Sequence, residues 1–121
     1  MCSAILEQSA DAIIYADREG IIRRWNLAAE RLFGFAAWQA VGQSLDLIIP
    51  ERLRAPHWAG YHRAITAGQT QRAGKPTTLT KALHSSAVTR YVEMSFAVVT
   101  GAAGAVVGSV AIARAAKSLV R

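Results

Sequence analysis

The stretch PHWAGYHRAITAG, residues 56–68, carries two histidines, a tryptophan, a tyrosine and an arginine within about three turns of an expected helix. Imidazole binds metals and moves protons near neutral pH, so this stretch could hold a cofactor. The same residues also suit an ordinary packed helix with a few wet side chains. His57 and His62 are five positions apart, about 140° round a helix, so they cannot both face one bound group. Trp58, His62 and Ile65 form one stripe, and His57, Tyr61 and Ala64 form the neighbouring one. Whichever stripe faces the rest of the domain decides which imidazole is available. Periodicity alone leaves that open.

Other chemistry is harder to assemble. GAAGAVVG, 101–108, resembles a dinucleotide-binding loop only loosely, and it lies between expected strands where that motif would open a helix. The acids Glu7, Asp11, Asp17, Glu19 and Glu51 are scattered over turns and helix starts, and no Ser/His/Asp set can be argued. Cys2 is the single cysteine, so neither an internal disulfide nor a cysteine metal clamp can form. His84 sits at a strand end and reads as solvated. The chain is therefore expected not to be an enzyme.

The elements that must position the 56–68 stretch are legible from both sides of it. AIIYAD (12–17) and IIRRWN (21–26) read as strands joined by the turn REG, an antiparallel hairpin. Asn26 suits an N-cap for LAAERLFGF, which Gly34 ends. AAWQAVGQ (36–43) is a short helical piece, and SLDLIIP (44–50) is a turn capped by Ser44. A connector, 50–54, leads to a helix that starts at Pro56 and ends at Gly68. Beyond residue 70 the period changes to two. TTLTKALH (77–84), YVEMSFAVV (91–99) and VVGSVAIARA (106–115) read as three strands, with SSAVTR and TGAAGA as the connections. Strands separated by a helical block imply one α+β domain filling 1–121, with a core of about 10–114 and a tail at 115–121.

The 121 residues are 52% hydrophobic, enough to bury a core without cross-links. The net charge of +6 raises nucleic acid as a partner, but the basic residues are scattered and no recognised motif accompanies them, so none is expected. No apolar run reaches the ~20 residues of a membrane span, and the acidic N-terminus does not read as a signal peptide. The lone cysteine fits a cytoplasmic location.

In order, ILEQSADAIIYADREGIIRRWNLAAERLFGF (5–35), AVGQSLDLIIPERLR (40–54) and YVEMSFAVV…VVGSVAIAR (91–114) make this chain resemble a PAS domain. The resemblance covers nearly the whole chain. It implies a five-stranded antiparallel sheet with short helices and one longer helix on one face, and a sensory or interaction module usually attached to an output protein, here unknown. The segment 115–121 would be either a plain tail or the start of a signalling helix.

A PAS pocket lies between the inner sheet face and the long helix. Alternation puts Val92, Met94, Phe96 and Val98 on one apolar face. Ile112 and Val110 would join them from the last strand, and Leu79 and Lys81, or Thr78 and Thr80, from the third. Such a pocket suits a flat hydrophobic ligand. The helix pattern is similar to that of the haem-binding PAS domains of FixL-type oxygen-sensing kinases. That likeness implies haem b, with His57 as proximal iron ligand and Tyr61 beside it. Arg63, or more weakly Arg72, would lie near the propionates, and Met94 is a candidate distal ligand. The sequence departs from those kinases on the distal side, where TTLTKAL has no arginine to hold bound oxygen. Flavin photosensors need a cysteine before the long helix, and photoactive-yellow chromophores need a cysteine thioester in the fold. Neither is present.

Two functions from different classes follow. One is a haem-based sensor of a diatomic gas or redox state. The other is a cofactor-free module that forms a homodimer or docks a partner through the outer sheet face or AILEQSADA. A sensor of a small organic ligand is a third option.

Overall fold

The computed structural model describes residues 8–68 and 78–116. Strand β1 (Ala12–Asp17) buries Ala12, Ile14 and Ala16 and leaves the residues between them half-exposed, the period-two pattern of a sheet covered on one side. It turns into β2 (Ile22–Trp25) through Arg18–Ile21. Asp17 organises that turn, its carboxylate accepting from the N–H groups of Glu19 and Ile21 at 3.0 Å each. Arg23 adds a 2.9 Å ion pair. Burial works against the charged carboxylate, but the bonds from Ile21, Arg23 and Glu19 outweigh it and hold the Asp17 pKa below its ordinary value.

Helix α1 (Leu27–Phe33) starts at Asn26, whose side chain caps Ala29 N, and stops at Gly34 in the left-handed region. A β-carbon at Gly34 would lie 2.4–2.6 Å from Ser85 and His84, so glycine is required there twice over. Helix α2 (Ala37–Ala40) and two 3-10 turns, Leu45–Ile48 and Glu51–Leu53, lead into the long helix α3 (Arg54–Ala67). Helix α3 begins two residues before Pro56. Proline is tolerated inside the first turn because its missing N–H has no intrahelical acceptor there.

Strands β3 (Thr78–Leu83), β4 (Thr89–Thr100) and β5 (Val106–Ala115) complete a five-stranded sheet of order β2-β1-β5-β4-β3, with every neighbour antiparallel. Strand β4 reaches back into what reads as loop, because the tight turn closed by His84 N donating to Val88 O lets Leu83 pair with Thr89. The helices gather on one face. Phe33, Trp25, Leu45, Ile48, Tyr61, Ile65, Val92 and Met94 are among the larger residues of the core between the helices and the sheet.

The pairing corrects the face assigned to three residues. Residues directly opposite one another share a face. Phe96 pairs with Ala111, Met94 with Ala113 and Val98 with Ser109, so β5 presents Ser109, Ala111 and Ala113 inward. Ile112 and Val110 stand on the outer face, and Ile112 is 38% exposed. On β3 the inner positions are Thr78, Thr80 and Ala82, and Leu79, paired with Glu93, is 47% exposed. Size misled here. The larger apolar residues of β5 and β3 point away from the helices, and small ones lie beneath them.

Candidate functional site

A groove of about 790 Å³ runs along α3, walled by Ala64 and Ile65 on the helix side and by Phe96, Val98 and Ser109 on the sheet side. Its walls are mostly apolar, and the polar groups along it are few: His57, Tyr61, His62, Arg63, Thr66 and Ser109.

The start of α3 is fixed from several directions. Arg54 donates to Ile49 O at 3.0 Å and Asp46 O at 3.2 Å. Trp58 Nε1 donates to Asp46 Oδ1 at 2.7 Å, and its ring covers Gly20 so closely that a β-carbon there would lie 2.1 Å from it. Tyr61 Oη donates to Asp17 O at 2.5 Å and accepts from Ser109 Oγ at 3.1 Å. Helix, hairpin turn and β5 are thereby joined through one phenol. Burial raises the Tyr61 pKa, and the bond from Ser109 only partly opposes it.

His57 lies at the N-terminal end of the groove, half-buried, with its ring edge-on to Trp58 at 4.8 Å and tilted against Tyr61 at 5.8 Å. Its Nδ1 is buried and has no hydrogen-bond partner, the only such side-chain atom among the described residues. A buried polar atom without a partner is unusual enough to call for an explanation. Burial lowers the His57 pKa; Asp46 nearby opposes this, and His62 adds to it slightly. The imidazole is therefore held towards its neutral form, the form that coordinates metal.

His62 is exposed and stacks on Trp58 at 5.9 Å, with 30° between the rings. Thus the His57–Tyr61 stripe turns inward, and His62 faces outward from the neighbouring one. Arg63 is exposed along the groove, and Phe96 is in its wall. Met94 is on the same inner face as Phe96 but is packed into the core, 6% exposed, and does not line the groove. Leu79 and Ile112 do not line it either, because they stand on the opposite face. Arg72 lies outside the described residues. Ser109 escaped sequence reading. Its only signal is a hydroxyl inside an apolar run, and recognising it requires the β4–β5 register.

A family model described as the PAS fold matches residues 1–115. The Sensor protein FixL of Bradyrhizobium diazoefficiens is 43% identical over 54 residues, which is 45% of this chain and 11% of that protein. The chain therefore spans about a tenth of that curated relative's length. The PAS domain of a protein from Colwellia psychrerythraea superposes with a TM-score of 0.80 at 22% identity, covering 95% of this chain and 93% of that one. The LOV protein of Rhodobacter sphaeroides gives a TM-score of 0.76 at 14% identity, covering 97% and 65%. At these identities the two structures speak for the fold alone.

Proposed function

This chain belongs to the PAS family, and from that premise we propose that it is a sensory domain whose α3 groove binds haem b through His57. The observation that carries the reading is the buried, unpartnered Nδ1 of an imidazole that lines an apolar groove. Among the described residues no three His, Cys, Asp or Glu side chains come together, so a bare metal ion has no ligand cage here. Haem brings four nitrogens of its own and needs only one or two axial ligands from the protein. His57 would be the proximal ligand. Arg63 on the groove's exposed flank would face a propionate, with Tyr61 and Phe96 against the ring. Bound haem would supply an iron able to take a diatomic gas or change oxidation state. The protein's part is to keep the imidazole neutral by burial, to hold its ring between Trp58 and Tyr61, and to shield the site with Phe96 and Val98. The 43% likeness to part of FixL supports this reading. The test is spectroscopic. After haem reconstitution a Soret band should appear, vanish in His57→Ala and survive in His62→Ala. No band, or a band indifferent to His57→Ala, overturns the proposal.

A second reading rests on a different observation. Leu79, Tyr91 and Ile112 are all exposed on the outer sheet face, which no helix covers among the described residues. That face would form a homodimer or dock the output protein. Ile112→Glu should lower the mass measured by light scattering if copies pair there. The other contact considered, AILEQSADA, lies partly outside the described residues, which begin at Gln8. Among the described residues no helix is long and apolar enough to cross a membrane.

A further inference from the structure

The polar pair inside the groove has a fixed direction. A backbone carbonyl only accepts, so the single hydroxyl hydrogen of Tyr61 is committed to Asp17 O. The 3.1 Å bond between Tyr61 and Ser109 must then use the hydroxyl hydrogen of Ser109. Both hydrogens are thus already used within the protein. Ser109 is 7% exposed, stands in the groove wall beside Val98 and Phe96, and has no further hydrogen bond of its own among the described residues. What it offers an occupant is lone pairs only. A carbonyl or carboxylate placed there would meet another acceptor and stay unpaired, which costs more than never burying it. A hydroxyl or N–H would be satisfied.

We propose that Ser109 makes the groove selective for small apolar molecules carrying a hydrogen-bond donor, alcohols over the matching ketones. The proposal rests on the reading of this groove as the ligand chamber and does not require haem. Specificity of this kind comes from a site's own unpaired polar atom, and one such contact is worth roughly fivefold to tenfold in affinity.

The experiment titrates the whole chain, free of haem, with cyclohexanol and with cyclohexanone, following amide NMR shifts of groove residues. Cyclohexanol should bind about fivefold to tenfold tighter. The preference should fall to about one in Ser109→Ala and persist in Ser109→Thr, which keeps the hydroxyl. Tyr61→Phe gives a sharper reading. It removes the acceptor of the Ser109 hydrogen, so Ser109 becomes able to donate, and cyclohexanone should gain on cyclohexanol. A merely structural role for Tyr61 would weaken both probes alike. Equal or tighter binding of the ketone by the natural chain, or a preference that survives Ser109→Ala, overturns the proposal. A Soret band dependent on His57 alongside a probe ratio near one would leave haem binding standing and refute donor selection. If neither probe moves a groove resonance, the groove is no chamber for such ligands and the inference falls.

Discussion

Asn26 and His57 are both polar side chains drawn into the interior, and the fold treats them in opposite ways. Asn26 is 2% exposed and fully engaged. Its Oδ1 accepts from Ile13 N at 2.9 Å and Ala29 N at 3.0 Å, and its Nδ2 donates to Asp11 O at 3.0 Å. One amide thus caps α1 and ties it to β1. His57, about 30 residues on, is half-buried with a ring nitrogen that nothing in the described fold satisfies. Polar groups that build structure have their partners inside the chain. Polar groups kept for a ligand have a place open, and the domain is less stable for it. At the hairpin end the polar side chain is satisfied within the chain; at the groove end a ring nitrogen is left unpaired, which is what the proposed ligand site requires.

The largest effect should come from the satisfied side. Asn26→Ala removes an N-cap and leaves Ile13 N and Asp11 O unpaired. We expect a loss of about 3 kcal/mol in urea unfolding, from a cap worth ~1 and two stranded backbone groups at about 1 or more each. A loss under about 1 kcal/mol would mean that water replaces the amide and that the contrast with His57 is false. Gly20→Ala comes next. Gly20 has φ +81°, and the new β-carbon would collide with the ring of Trp58. Strain at that φ and displacement of a packed indole should together cost about 2 kcal/mol. Because Trp58 also sets the start of α3, the same change should weaken whatever the groove binds. Full ligand affinity in Gly20→Ala would show that groove and hairpin are independent.

His57→Phe tests the other side. Replacing a half-buried imidazole that has an unpaired nitrogen by an apolar ring of similar shape should leave stability at pH 7 within about 1 kcal/mol of the natural chain, or raise it. The pH dependence has a definite sign. Burial depresses the folded-state pKa of His57 below its ordinary 6.5, so the unfolded chain takes up the proton first. The contribution is fully present above about pH 6.5 and is lost as pH falls through 6.5 towards the depressed value. Unfolding free energies measured between pH 7 and pH 5 should fall less steeply in His57→Phe. Equal slopes would place that imidazole in water.

Much of this arrangement is legible in the residues, for physical reasons that also mark where reading stops. Asn26, Gly34 and Ser44 announce their caps because a helix end needs a particular side chain or a left-handed residue at one position. The bounds of β1 and β5 follow from alternation and the glycines beside them. Leu79 and Ile112 were expected inside and lie outside, because alternation defines two faces without saying which is covered; that depends on the β3–β4 and β4–β5 registers. The choice between His57 and His62 depends on how α3 is rotated. That rotation is set by Trp58 bonding Asp46 and by Tyr61 bonding Asp17, 12 and 44 residues away in sequence. Ser109 acquires meaning only once Tyr61 reaches it. Local signals fix elements, and long-range contacts fix the site.

The smallest effect separates stability from the site. Ala87, in the β3–β4 turn, has φ 70°, the one described non-glycine residue in the left-handed region. The turn holds it there, with Ala87 N donating to His84 O at 2.8 Å and His84 N to Val88 O at 2.9 Å. The β-carbon of alanine opposes that conformation by about 1 kcal/mol, and glycine relieves it while giving the unfolded chain more freedom. We therefore expect Ala87→Gly to stabilise the domain by roughly 0.5 kcal/mol, visible as a small rise in melting temperature. This turn packs against Gly34 at the end of α1, and none of its residues lines the groove. The Soret band and the cyclohexanol preference should be unchanged. If they move with Ala87→Gly, groove behaviour follows global stability, and neither the open nitrogen of His57 nor the lone pairs of Ser109 would account for it.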